Sequence, residues 1–313
     1  MISVIVIGKD EGERLGACLD SVKDALGVLA HEVIYVDSGS KDDSLTVAAN
    51  AGARCFLLSE PEPTAGLGRL TGAQEAQGEY LLFLDGDMRL CPGFCERAMM
   101  KMASSGADGV CGMREDIYLR ANQIVGRREN YFGCTHERPC PEFGGALFLS
   151  AEALERCGGW SGDTVACEEA ELHARLKDAG CTIVELPIPM ILHTDAIRDN
   201  RGALAVFFSR RRLGEGQALR CAIAKGKGAA YLRHEREKFL FYALDWFGLA
   251  LLLLLGLPGL LAFCFIQSAQ LGCFLARRRP RAFVSAKLFF FAFPAGLFTY
   301  RVRSREYTAF PPC

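Results

Sequence analysis

Ile2 to Ile7 is a continuous apolar run, the pattern of a parallel strand buried on both faces. Leu15, Cys18, Leu19, Val22 and Leu26 then recur at helical spacing and make one apolar stripe. Glu32 to Val36 predicts a second short strand closed by Asp37, and Asp42 and Asp43 open a helix where acids suit the dipole. Arg54 to Leu58 predicts a third strand. Leu67 to Ala76 predicts a helix with Gly78 as its stop. Tyr80 to Leu84 predicts a fourth strand that runs straight into Asp85-Gly86-Asp87. Strands alternating with helices mean an α/β sheet joined by right-handed crossovers. Further on, "FGGALFLSAEALERCGGW" (143–160) reads as strand, turn, helix and turn. In "ACEEAELHARLKDAG" (166–180), Leu172, Leu176 and Ala179 share one helical face and Gly180 is a stop signal.

The pattern changes in the last third. Residues 198–238 hold eleven Lys/Arg against four Asp/Glu, with Phe207 and Phe208 beside Arg210, Arg211 and Arg212. Such a segment suits an interfacial helix on anionic lipid, a solvated basic helix, or arginines that reach a diphosphate. Phe239 to Ala276 is apolar for 38 residues, with Asp245 its one charge. A single span needs about 20 residues, so two spans turning at Gly256-Leu257-Pro258-Gly259 are expected. Basic clusters at 233–238 and 277–281 flank the run, and the positive-inside rule puts both on the cytoplasmic side. Ala282 to Tyr300 is a further apolar stretch, interrupted by Lys287 and Pro294. The expected organisation is a cytoplasmic domain over 1–197, a basic helical segment suited to a membrane interface over 198–238, and membrane-associated helices over 239–313.

Composition adds little to this picture. The net charge of -1 gives no global field for nucleic acid. The 14 cysteines contain no Cys-x-x-Cys pair and no zinc pattern, which favours buried reduced thiols. Met1 to Ile7 is too short for a secretory leader, and Lys9, Asp10 and Glu11 follow directly.

The strand-end acids carry the chemistry. Ligands of open α/β sheets bind outside the carboxyl ends of the strands, so Asp37, Asp85 and Asp87 are expected at one rim. Residues i and i+2 of an extended segment face the same side, so Asp85 and Asp87 can converge. Gly86 would leave room for a ligand to approach the backbone. Hard cations such as Mg²⁺ or Mn²⁺ take one or two carboxylates plus substrate phosphates, which would partner these charges. An isolated Asp-Gly-Asp, however, is also an ordinary turn.

The neighbouring segments decide between these. "SVIVIGKDEGERLGACLDSV", "EVIYVDSGSKDDSLTVAANAGA" and "GRLTGAQEAQGEYLLFLDGDMRL" occur in that order. Together they resemble the nucleotide-sugar half of inverting family-2 glycosyltransferases of GT-A fold. The resemblance implies that Asp37 meets the nucleotide base, that Asp85 lies near ribose and sugar, and that Asp87 ligates the metal under the diphosphate. Arg69 and Gly72 match the family's Ala-Arg-Asn-x-Gly stretch on the nucleotide side, with Gly68 and Leu70 at the Ala and Asn places. Glu168 and Glu169 match its acidic pair, whose second member is the catalytic base. That member is Asp in most relatives. His193 of "ILHTDAIRD" matches a His that completes the metal site in many GT-A enzymes.

The resemblance therefore implies a metal-dependent inverting transfer from a nucleoside-diphosphate sugar to an acceptor hydroxyl, with a lipid-linked or membrane-proximal acceptor. On residues alone, the glutamates would also suit a helix N-terminus, and His193 a structural place. Two other classes remain open. A sugar nucleotidyltransferase would release pyrophosphate, and Gly8 to Gly12 is a poor version of its phosphate loop. A non-catalytic membrane scaffold would bind nucleotide sugar weakly or not at all.

Overall fold

In the computed structural model, which describes residues 1–120, 123–196, 209–276 and 280–310, the four predicted strands form β1 (Ile2–Gly8), β2 (His31–Asp37), β3 (Arg54–Leu58) and β4 (Tyr80–Asp85). Between them lie α1 (Gly12–Leu26), α2 (Ser44–Asn50) and α3 (Ala65–Glu75). There follow β5 (Met88–Leu90), α4 (Phe94–Ser105), β6 (Gly109–Arg120), β7 (Gln123–Arg128) and β8 (Arg138–Pro139). Next come β9 (Leu147–Ser150), α5 (Ala151–Arg156), α6 (Glu168–Asp178) and β10 (Ile183–Ala196), and the last strand among the described residues is β11 (Tyr307–Phe310). The sheet order is β11-β3-β2-β1-β4-β9-β6-β10-β5, with β7 on β6 and β8 on β10.

β3, β2, β1 and β4 run parallel, as the unbroken apolar runs predict. Successive side chains of β1 face opposite ways. Val4 and Val6 pack with Leu15, Val22 and Phe94. Ile5 and Ile7 pack with Leu67, Trp160 and Leu172. Each face is thus covered by helices. The register sets Gly8 beside Asp37 and Ile7 beside Asp85. The two acids therefore flank the carboxyl end of β1, about 10 Å apart by strand spacing.

Two local expectations change. Gly78 does not stop α3, which ends at Glu75 with Ala76 extended. Gly78 instead lets the chain cross β1, since a Cβ there would lie 2.6 Å from the Ser3 amide nitrogen. Asp43 occupies the N-cap of α2 without a side-chain cap bond. Asp42 does the capping, accepting from Ser44 N at 3.0 Å and from Gly12 N at 3.0 Å, so that one carboxylate serves two helix starts.

The chain divides into two units, Met1–Phe208 with Arg301–Cys313, and Ser209–Tyr300. The tail after 300, expected to belong with the apolar region, thus returns to the sheet. The second unit is helical: a 3₁₀ turn (Arg210–Leu213), α7 (Gly214–Ala224), α8 (Gly228–His234), α9 (Arg236–Leu255), α10 (Leu257–Ala276) and α11 (Pro280–Thr299). The part of the basic segment over 198–208, with Phe207 and Phe208, lies outside the described residues, as do 277–279. Gly256, at φ 61°, breaks α9 from α10 where the turn was expected.

Two charges within the apolar stretches, Asp245 and Lys287, are set against each other. Asp245, 3% exposed, is held by Lys287 Nζ at 2.6 and 2.8 Å and by Gln267 Nε2 at 2.8 Å. Lys287 also reaches Gln270. The lysine that interrupts the last apolar stretch therefore ties α11 to α9 and α10. Removing one partner of a buried pair costs about 3–5 kcal/mol, whereas an apolar replacement of both is often neutral. Asp245→Leu is thus expected to lower the melting temperature of the purified protein, and adding Lys287→Met to restore most of it.

Candidate active site

Arg69 organises the acids. It sits on α3, whose N-cap Thr64 accepts from Leu67 N at 3.1 Å, and its side chain is 1% exposed. Its guanidinium donates to Asp85 Oδ1 at 2.7 Å and to Glu168 Oε1 at 3.0 Å, and lies 3.6 Å from Glu169 Oε1. Its carbon stands 5.0 Å from the centre of the Trp160 ring, a favourable cation–π placement. The end of β4 and the start of α6 are thereby joined through one cation. Gly145, in "FGGALFLS", lets this happen, because a Cβ there would lie 2.2 Å from Asp85 Oδ2.

Arg69, expected on the nucleotide side, has its guanidinium taken up by these acids and almost no exposed surface. Glu168 is also buried, at 5% exposure, whereas the Glu169 side chain keeps 27%. Burial pushes the Glu169 carboxyl up to about 7, with the Glu168 charge adding to the rise and Arg69 opposing it. A carboxyl near 7 at the open side of a charged cluster suits a general base.

Asp87 and His193 form a second group. β10 bulges between Glu185 and Ile191, then pairs antiparallel with β5 so that His193 stands opposite Met88. His193 Nε2 lies 3.4 Å from Asp87 Oδ2, and Nδ1 lies 3.0 Å from Asp116 Oδ1. Arg114 stands beside the same nitrogen at 2.9 Å and is itself paired with Asp116 at 2.7 Å. Despite desolvation, the Asp87 carboxylate holds the His193 pKa above its usual value. Asp87 Oδ1 is buried with no hydrogen-bond partner. An orphaned carboxylate oxygen next to a ring nitrogen backed by a second carboxylate fits a divalent cation. Among the described residues no group of three or more His, Cys, Asp or Glu could hold a metal alone, so substrate oxygens would have to complete the shell.

Asp85 and Asp87 thus engage different partners, one Arg69 and the other His193. Gly86 does not leave open backbone, since a Cβ there would meet Glu11 at 3.4 Å. Glu11 is a residue whose place the sequence does not reveal. Burial pushes its carboxyl up to about 7, Arg14 opposes, and Asp87 and Asp85 add to the rise. Its position just past the carboxyl end of β1 was the available signal. Asp116 and Arg114 carried no signal, because nothing local shows that β6 extends beside β10. Asp37 is fully buried. It accepts from Gly39 N at 2.8 Å, Ser40 N at 2.7 Å, Ser40 Oγ at 2.6 Å and Tyr35 OH at 3.0 Å. It orders the loop after β2, and a nucleotide base would have to share those oxygens.

A family model described as glycosyl transferase family 2 matches residues 3–162, just over half of the sequence, and the chain belongs to that family. Glycosyltransferase AglE of Haloferax volcanii is 24% identical over 191 residues, covering 58% of this chain and 63% of its own length. Succinoglycan biosynthesis protein ExoA of Rhizobium meliloti is 25% identical over 196 residues, covering 58% and 59%. The chain thus spans about three fifths of the length of these curated relatives. Among solved structures, mannosyltransferase PcManGT from Pyrobaculum calidifontis, in complex with GDP-Man and Mn²⁺, superposes with a TM-score of 0.60 at 19% identity. That match covers 95% of this chain and 87% of the other. S. aureus TarS 1-349 gives 0.58 at 14% identity, covering 94% and 90%. The fold is accordingly GT-A-like, a mixed α/β sheet followed by C-terminal apolar helices.

Proposed function

We propose that the chain transfers a sugar, with inversion, from a nucleoside-diphosphate sugar to an acceptor hydroxyl at a membrane. One observation carries the reading: a buried arginine joins the strand-end acid Asp85 to the helix-start pair Glu168 and Glu169. Donor-side and acceptor-side carboxylates are thereby fixed within one charge network. In such a site Glu169 takes the proton of the acceptor hydroxyl as that oxygen attacks the anomeric carbon opposite the leaving diphosphate. Glu168, bonded to Arg69, orients the first turn of α6. Asp85 faces ribose and sugar, and the loop ordered by Asp37 lies on the base side.

Asp87 and His193 would hold a divalent cation, Mg²⁺ or Mn²⁺, which when bound supplies positive charge to the departing diphosphate. PcManGT, whose structure contains GDP-Man and Mn²⁺, supports that choice. Asp87→Ala is expected to abolish turnover and weaken donor binding. In a thermal-shift panel of nucleoside diphosphates and their sugars, stabilisation by the right donor should vanish with chelator and return with Mn²⁺. A donor shift indifferent to both chelator and Asp87→Ala would remove the cation from the proposal.

The membrane part rests on α9 and α10. Each has 20 residues, enough to cross a bilayer by length and composition. Leu253 is 85% exposed, Leu254 79% and Phe265 75%. The core helix of a water-soluble protein would bury such side chains. Lipid tails would cover them, with the basic residues of 233–238 at the cytoplasmic surface. An acceptor carried on a lipid would then diffuse in the membrane that anchors the chain.

A further inference from the structure

We propose that the C-terminal segment 301–310 is a strap that positions the helix bearing Glu169, an inference that rests on the base assigned above. The first turn of α6 is acidic, with Glu168, Glu169 and Glu171 suiting the helix dipole. Its N-cap, Cys167, however, has a left-handed backbone at φ 66° and gives no side-chain cap bond. Arg69 holds that first turn from one side through Glu168, and the loop before it is held from outside.

The strap supplies the hold. β11 pairs antiparallel with β3 from Tyr307 opposite Leu58 to Phe310 opposite Cys55. Just before it, Arg305 Nη2 donates to Asp163 Oδ1 at 2.7 Å, and the Arg303 amide donates to the same oxygen at 3.0 Å. Asp163 is 5% exposed and stands five residues before Glu168. On the other side, Glu60 accepts from Arg301 at 2.8 Å and from Ser304 N at 3.0 Å.

The two gripped loops are themselves joined, since Thr64 Oγ1 donates to Gly162 O at 2.8 Å. The contact is close: a Cβ on Gly66 would lie 2.1 Å from Ser161 O and 3.2 Å from Glu168 Cβ. Thr64 in turn caps α3, which carries Arg69. One ten-residue strap therefore fixes, through Asp163 and Glu60, the starts of both helices whose side chains meet at Arg69. Arg303 and Arg305 act through Asp163 and touch no reacting atom, so they are positioning residues. Small displacements of a reacting group are costly even when nothing else changes.

The test uses the full chain in detergent or lipid discs. Arg305→Met and Asp163→Asn are expected to lower kcat on the order of tenfold, with donor KM changed by no more than roughly twofold. Arg305→Lys should retain most of the rate. Amide exchange over 165–171 should speed up in the two impaired variants while β1 and β4 stay protected. Wild-type kcat and wild-type exchange in both variants would overturn the strap. So would a rise in donor KM that accounts for the whole loss. If the unaltered chain transfers no sugar from any nucleotide donor, the functional reading fails, and exchange over 165–171 still decides the strap.

Discussion

Glu169→Gln is expected to lower kcat about 10²–10⁴-fold, the usual contribution of a general base, and to leave donor binding nearly intact. The substitution keeps size and hydrogen bonding and removes only the ability to accept a proton. It should not destabilise the protein. Burial and Glu168 raise the Glu169 carboxyl from 4.5 to about 7, so the folded state binds more protons than the unfolded one between those values. Its contribution to stability is present at low pH and declines as pH rises through 7. The neutral amide removes that decline.

The activity profile has the opposite sign. Below about 7 the carboxyl is protonated and cannot serve as base, so kcat/KM should rise with pH and level off above 7. Glu11 also lies near 7 in the absence of a cation, but a cation at Asp87 would draw it down. The rising limb should therefore survive Glu11→Gln. Stopped assays with a saturating cation, run on wild type and on both variants, check this. Wild-type-like turnover in Glu169→Gln would remove Glu169 from its role.

Arg69→Met should be the most destabilising single change in the sheet unit. It leaves Asp85, Glu168 and Glu169 close together without their shared cation. Breaking a buried pair in this way typically costs about 3–5 kcal/mol, and here more than one acid loses its partner. Adding Asp85→Asn, which removes one of the crowded carboxylates, should recover part of the loss. Denaturant midpoints of both variants at pH 7 test it. A variant as stable as wild type at pH 7 would mean that the acids are not gathered around Arg69.

The first ninety residues reveal their fold in the sequence because their constraints are local. A parallel strand buried on both faces must read as an apolar run, and an acid at its carboxyl end must lie at the rim. Arg54–Leu58 is a strand in sequence and structure alike, and the other three differ only at their ends. The site was legible as a set of acids but not as a circuit. Nothing local distinguishes a nucleotide-binding Arg69 from one enclosed by three carboxylates. That depends on Gly145 and α6, which lie far along the chain. The backing of His193 by Asp116 likewise needs β10 to run beside β6, a pairing set by tertiary packing. Lys287 read as a break in an apolar stretch because its partner, Asp245, belongs to another helix.

The strand that closes the β3 edge lies some 250 residues along the chain from its partner. During synthesis residues 307–310 leave the ribosome only after all three apolar helices. Until then one flank of the sheet presents unpaired amides and carbonyls, a template for any extended neighbour. A version cut before the apolar helices to gain solubility would keep that open flank permanently. It is expected to associate edge to edge, and a short peptide spanning 301–310, supplied in trans, should suppress this.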